Sequence, residues 1–380
     1  MKKGKRSRNY IVGFCIPDGR ENEYHCEVPT DLKMKYVISK LQDNIRVISL
    51  SPRKKTGKGK TFRYDYGTIK TFFSFGTGSK FRKKLNMTLR KIWLFFFFRF
   101  KVRARDNVIL YHSYAYTRFI GKHCPIKRRH IVLEVEEVYG YNAVEDKPYL
   151  ADEIRSIKRF DRFIMVNDYI APELGIPEED CVVSYGVVNP DYEKTDRGFD
   201  TEHIHVLYAG TIDQKKIGAS SAVKSAAFLS DRYVLHVAGF GKEEAQKQLA
   251  ELIEENNRHE GRCRIIYHGM LKGRELDALF DSCDIGISTN VMRPNFANNT
   301  FPSKIMTYMT HGLKVVSGYA DAFRDAPIAR DWSFFYSHDP MEIAAAIERA
   351  AESGTPDYRA LLREVDARLV DFLRRERFLQ

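Results

Sequence analysis

The sequence predicts an α/β protein made of two doubly wound domains, each a largely parallel sheet covered by helices on both faces. Three observations carry this. Short apolar strands, several of them closed by glycine, alternate with segments of helical period. The 380 residues exceed what a single core usually organises and suit two domains of ordinary size. The stretch Asn299 to Val316, NTFPSKIMTYMTHGLKVV, reads as loop, helix, glycine stop at Gly312 and the start of a buried strand at Val315 and Val316.

In the amino-terminal half, a strand is expected at Tyr10 to Ile16, turned by Pro17, Asp18 and Gly19. A helix follows at Leu32 to Leu41 and a strand at Ile45 to Leu50. Further strands are expected at Asn107 to Tyr111, His130 to Val135, Arg162 to Val166 and Cys181 to Gly186. The boundary is placed near Asn189, with a charged linker to about Thr201.

In the second half, His205 to Gly210 is a strand followed by a polar loop with Lys215 and Lys216 and a helical stretch from Ala219 to Leu229. Tyr233 to Gly241 and Arg264 to Gly269 are strands, Lys242 to Asn256 and Arg274 to Ser282 helices, and Asp284 to Ser288 another strand. The domains are therefore 1–190 and 191–355. The segment 356–380 holds an amphipathic helix, Asp357 to Leu379, that either caps the second sheet or crosses back to the first domain.

Charge is distributed unevenly. Residues 1–130 hold 32 Lys and Arg against 8 Asp and Glu, whereas residues 131–380 hold 30 against 42. The densest part, 80–105, has ten basic residues and no acidic one around IWLFFFFRF at Ile92 to Phe100. Leu85, Leu89, Ile92, Phe96 and Phe100 fall at helical spacing. A basic helix with an aromatic side suits an anionic membrane surface. The uninterrupted run from Ile92 to Phe98 is far short of the roughly 20 residues that span a bilayer. Two other readings are open: phenylalanines packed as core under a solvated basic face, and contact with nucleic acid, for which no recognised motif is present.

The six cysteines are scattered without metal or disulfide spacing, which suits reduced thiols. No secretory leader is recognised, so the protein is expected in the cytoplasm, peripherally associated with the inner face of the cell membrane.

Taken in series, the loop before Ser303, the strand-Gly-Lys loop HVLYAGTIDQKK and the glycine-closed strands resemble the nucleotide-sugar half of GT-B glycosyltransferases, specifically the retaining family 4. The resemblance implies two Rossmann-like domains facing a central cleft. It implies a nucleotide-diphosphate sugar as donor and neither a metal nor a cofactor beyond it. Gly210, Gly239, Pro302, Ser303, Lys304 and Lys216 match positions that hold the donor, the two lysines and the helix start neutralising its diphosphate. Thr211 stands where an arginine is common. Asn299 and Thr307 replace the two glutamates, the second of which would bind the donor's ribose.

Tyr185 to Asn189, YGVVN, matches the end of the family's first domain. In IVLEVEEVYGYN, Glu136 occupies the position of a histidine that faces the sugar. Glu134, Glu136 and Glu137 crowd a strand end, where they either serve the site or pair with Arg128 and Arg129. His112, at the preceding strand end, is either a substrate-orienting or a structural residue.

The expected activity is transfer of a sugar, with retention, to a glycan or lipid-linked acceptor in bacterial surface polysaccharide biosynthesis. Glu136, His112 and Lys216 are the catalytic candidates. The alternatives are a catalytically weak GT-B homologue that binds or scaffolds, and a nucleic-acid-binding protein; no nucleic-acid partner is expected on the main reading.

Overall fold

The computed structural model describes residues 7–41, 44–142, 145–195, 198–213, 218–289 and 293–379. The chain divides into two compact units, one of Met1–Val187 with Ala367–Gln380 and one of Val188–Asp366.

In the first unit β1 (Asn9–Gly13), α1 (Val28–Lys40) and β2 (Ile45–Ser49) come first. A ribbon of β3 (Thr56–Gly57) and β6 (Ser74–Phe75) encloses the hairpin β4 (Thr61–Tyr64) and β5 (Gly67–Lys70). Then follow α2 (Lys80–Phe96), β7 (Asn107–Tyr111), α3 (Tyr114–His123), β8 (His130–Val135), α4 (Leu150–Ile157), β9 (Arg162–Met165), α5 (Ile170–Glu173) and β10 (Cys181–Val183). The eight-stranded sheet has the order β10-β9-β8-β7-β1-β2-β5-β4, parallel except for β4 at the edge. Every residue of β7 is buried, as a strand covered on both faces requires. The Pro17 carbonyl accepts from Arg20 N at 3.0 Å, closing the expected turn.

The second unit runs β11 (Ile204–Ile212), α6 (Gly218–Ser225), β12 (Tyr233–Gly241), α7 (Glu243–Asn257), β13 (Arg264–Gly269), α8 (Arg274–Ser282) and β14 (Ile285–Ser288). It continues with α9 (Pro294–Asn298), α10 (Ser303–Thr310), β15 (Lys314–Gly318), α11 (Asp321–Arg324), β16 (Ser333–Phe335) and α12 (Pro340–Glu352); α13 (Tyr358–Arg375) begins in this unit and, from Ala367 on, belongs to the first. Its sheet is parallel throughout, in the order β13-β12-β11-β14-β15-β16. The order reverses between β11 and β14, and at such a switch point the strand ends open a crevice for ligands. Gly312, with φ 70°, ends α10 in the left-handed region. Leu361, Leu362, Val365, Leu369 and Leu373 bury the apolar side of α13. That helix stops at Arg375, short of the expected Leu379, because Arg377 turns into the left-handed region at φ 61° and Phe378 is buried beyond it.

Three histidines cross the second sheet in a row. His205 Nδ1 lies 2.9 Å from His236 Nε2, and His236 Nδ1 lies 2.9 Å from His268 Nε2. Phe199 stacks on His236 at 4.4 Å, and Asp200 Oδ2 stands 3.5 Å from His205 Nε2. The six cysteines are free thiols.

Candidate active site

The first cluster lies in the amino-terminal unit, at the carboxyl end of β8. Strand alternation sends Glu134 and Glu136 to the same side. Opposite them α1 delivers Lys33, which is 1% exposed. Its ammonium donates to Ser184 O at 2.8 Å, Ser184 Oγ at 3.0 Å and Gly186 O at 3.4 Å. It stands 3.2 Å from Glu136 and 3.9 Å from Glu134. The glutamates therefore meet Lys33, and Arg128 and Arg129 precede the opposite end of the strand.

Glu134 is fully buried, and burial together with the neighbouring charge of Glu136 pushes its carboxyl well above the usual range. Tyr111 closes one wall, its hydroxyl 3.3 Å from Thr30 Oγ1, and burial pushes its phenol up.

His112 follows β7 and is 1% exposed. Its Nε2 lies 2.9 Å from Glu153 Oε1 and its Nδ1 2.9 Å from Thr117 Oγ1. Glu153 also accepts from Tyr139 N at 3.1 Å and Gly140 N at 2.6 Å. Both ring nitrogens are engaged by the protein, so His112 anchors the loop that follows the Glu136 strand. Lys33 and Ser184 were not singled out from the sequence. Lys33 sits among apolar residues of a helix, and only its burial beside two carboxylates distinguishes it from a surface lysine.

The second cluster lies in the carboxyl-terminal unit. Gly210 near the end of β11 pairs in register with Gly239 of β12, and a Cβ on Gly239 would overlap the Gly210 carbonyl. A Cβ on Gly210 would overlap the Lys304 ammonium, which α10 carries above that strand end and which lies 5.8 Å from the Tyr208 ring centre. Glycine at 210 is therefore what lets the cation approach the backbone. The Tyr208 hydroxyl donates to Thr211 O at 3.1 Å. α10 is held by Tyr308, whose hydroxyl donates to Ile287 O at 3.0 Å and accepts from Ala209 N at 3.3 Å.

Pro302 caps α10 at its amino end, no side chain closes that first turn, and Ser303 is exposed there. The dipole of α10 and Lys304 in its first turn give this helix start a positive character that suits an anion. Thr307 follows Lys304 by one turn and is half-buried. Asn299 is buried, its amide donating to Asn295 O at 3.0 Å. Lys216, expected as the second diphosphate cation, lies outside the described residues, as does Lys215.

The basic aromatic segment forms α2 and the wider helical turn Phe97–Lys101. Its phenylalanine run divides. Leu94, Phe97 and Phe98 are core, while Phe81, Leu89, Ile92, Phe96 and Phe100 are between 41% and 74% exposed. Lys80, Arg82, Lys83, Lys84 and Arg99 are exposed beside them, whereas Arg90 is buried. The core reading thus holds for Leu94, Phe97 and Phe98 and not for the exposed residues of the run. Among the described residues no helix is long and apolar enough to cross a membrane.

Two doubly wound domains in series, the second with its cationic switch point, define the GT-B fold. Residues 203–353 match the family described as "Glycosyl transferases group 1". Solved structures share the fold across nearly the whole chain. An α,α-trehalose-phosphate synthase (UDP-forming) from Burkholderia xenovorans, in complex with glucose-6-phosphate, is 12% identical with a TM-score of 0.66. The match covers 96% of this chain and 97% of that one. The corresponding E. coli protein bound with UDP-2-fluoro glucose is 11% identical with a TM-score of 0.65, covering 98% and 96%. An enzyme from Burkholderia vietnamiensis is 12% identical at 0.66, covering 97% of both chains. No curated protein matches the chain. The protein is a glycosyltransferase of GT-B type.

Proposed function

We propose that this protein is a retaining glycosyltransferase of family 4 type. It would move a sugar from a nucleoside-diphosphate sugar to a glycan or lipid-linked acceptor in bacterial surface polysaccharide assembly, at an anionic membrane surface on the cytoplasmic side. The observation that carries the reading is the Lys304 ammonium held over Gly210 at the open start of α10. A departing diphosphate needs fixed cations and N–H dipoles that require no reorganisation as charge develops. The structure bound to a UDP-sugar analogue has the same fold and supports such a donor here.

Glu136, partly exposed beside the buried Glu134, orients the sugar and stabilises positive charge at its anomeric carbon; His112 positions it through the loop tied to Glu153. Thr307 and Asn299 supply no carboxylate to ribose, so the donor is held mainly through its diphosphate. The exposed aromatic face of α2, flanked by lysines and arginines, supports the membrane part of the reading.

The test is turnover and stereochemistry with a panel of nucleoside-diphosphate sugars. Lys304→Ala is expected to lower turnover roughly 10- to 1000-fold, and proton NMR of the product is expected to show the donor's anomeric configuration. Unchanged turnover in Lys304→Ala refutes the diphosphate site, and an inverted product refutes the retaining assignment.

A further inference from the structure

A cationic cavity of about 500 Å³ opens in the first unit at the amino-terminal edge of the sheet, the edge opposite Glu134 and Glu136. Arg105, Lys127, Arg128, Arg129, His130 and Arg377 line it, and among the described residues no carboxylate does. It thus lies away from the carboxyl strand ends where this fold holds its usual ligands.

The nearby acids are already committed. Asp106 is buried and bound by Arg8 at 2.6 Å, and Glu376 stands 3.3 Å from His130 and 3.4 Å from both Arg162 and Arg375. By contrast, Arg105, Lys127, Arg128, Arg129 and Arg377 make no ion pair among the described residues. Arg129 Nε is buried with no hydrogen-bond acceptor. Arg377 is held in place by its own backbone, which takes the left-handed conformation while its carbonyl accepts from Asn107 Nδ2 at 2.7 Å and Phe378 packs behind it.

Five like charges around one cavity repel one another unless an anion joins them, and guanidinium forks match the oxygen geometry of a phosphate. We infer that this cavity is a phosphate-binding site, taking a phosphate monoester or pyrophosphate group, separate from the donor site on the second unit. Among the described residues its lining contains no Phe, Tyr or Trp on which bases stack, which sets it apart from a single-stranded nucleic-acid groove. The phosphate belongs either to a soluble phosphorylated molecule or to a lipid headgroup.

The test is calorimetric titration with pyrophosphate at low ionic strength, where exposed charges are least screened. It compares the parent, Lys304→Ala and the combined variant Arg105→Gln, Lys127→Gln, Arg128→Gln. The three substituted residues are exposed and unpaired, so the unfolding midpoint should hold; Lys127→Gln alone serves as a milder second variant. Saturable binding that survives Lys304→Ala and weakens at least tenfold in the combined variant supports the site. Equal binding in the parent and the combined variant, or binding lost in Lys304→Ala alone, overturns it, as does a parent that binds no pyrophosphate. The source is read from vesicles of phosphatidylcholine carrying either phosphatidic acid or phosphatidylglycerol. Preference for the phosphatidic acid monoester, displaced by pyrophosphate, assigns the headgroup; pyrophosphate binding without that preference assigns the soluble source.

Discussion

Acidification should strike the second unit through His236. The side chain is 1% exposed, lies between His205 and His268, and is covered by Phe199, with Asp200 the acidic group facing this row. Burial and its two histidine neighbours lower its pKa from 6.5 to about 3. Because the folded value lies below the unfolded one, the unfolded chain takes up a proton first. The stability is intact above about pH 6.5 and is lost as pH falls toward 3. Integrating proton uptake with these two values, moving from about pH 7 to about pH 5 costs roughly 2 kcal/mol from this group alone.

The perturbation is His236→Gln, which keeps hydrogen-bonding capacity and does not titrate in this range. Urea unfolding of parent and variant at both pH values gives a difference of differences in which the titrating groups outside the histidine row cancel. The variant should lose about 2 kcal/mol less than the parent. Equal losses in the two proteins would show that the histidine row carries no proton-linked strain.

Two further outcomes are expected. Glu136→Gln should lower transfer while nucleotide affinity stays nearly constant, because the change removes charge at the sugar and leaves Lys304 untouched; weaker nucleotide binding with unaltered transfer would place Glu136 elsewhere. Phe81→Ser, Phe96→Ser and Phe100→Ser together should abolish binding to anionic vesicles without altering the unfolding midpoint, whereas Phe98→Ser, at 0% exposed, should lower that midpoint; a triple variant that still binds vesicles removes the aromatic face from membrane contact.

The parts most legible in the sequence were those where local chemistry and packing agree. Apolar strands closed by Gly210, Gly239 and Gly269, and Gly312 after α10, announced the second sheet because glycine is required where backbones or a cation approach closely, or where φ is positive. The edge hairpin Thr61–Lys70 went unseen, since Ile69 alone of its residues is buried and no apolar period marks it. The phenylalanine run was legible as a helix but not in its division. Period alone does not tell which side meets the sheet, and Phe97 and Phe98 became core where the helix widens. Glu136 was reached through a family position, and Lys33 was missed because a lysine's burial is decided by Ser184 and Gly186, about 150 residues away.

The central claim, a nucleoside-diphosphate sugar held at the start of α10, meets its most direct test in calorimetric titration of UDP, GDP, ADP and dTDP into the parent and Lys304→Ala. One of the four should bind the parent with one-to-one stoichiometry and much more weakly in the variant. At 100 times its dissociation constant it should stabilise the folded parent by about 2.7 kcal/mol. Binding of equal strength to both proteins, or none of the four bound by the parent, would contradict the account.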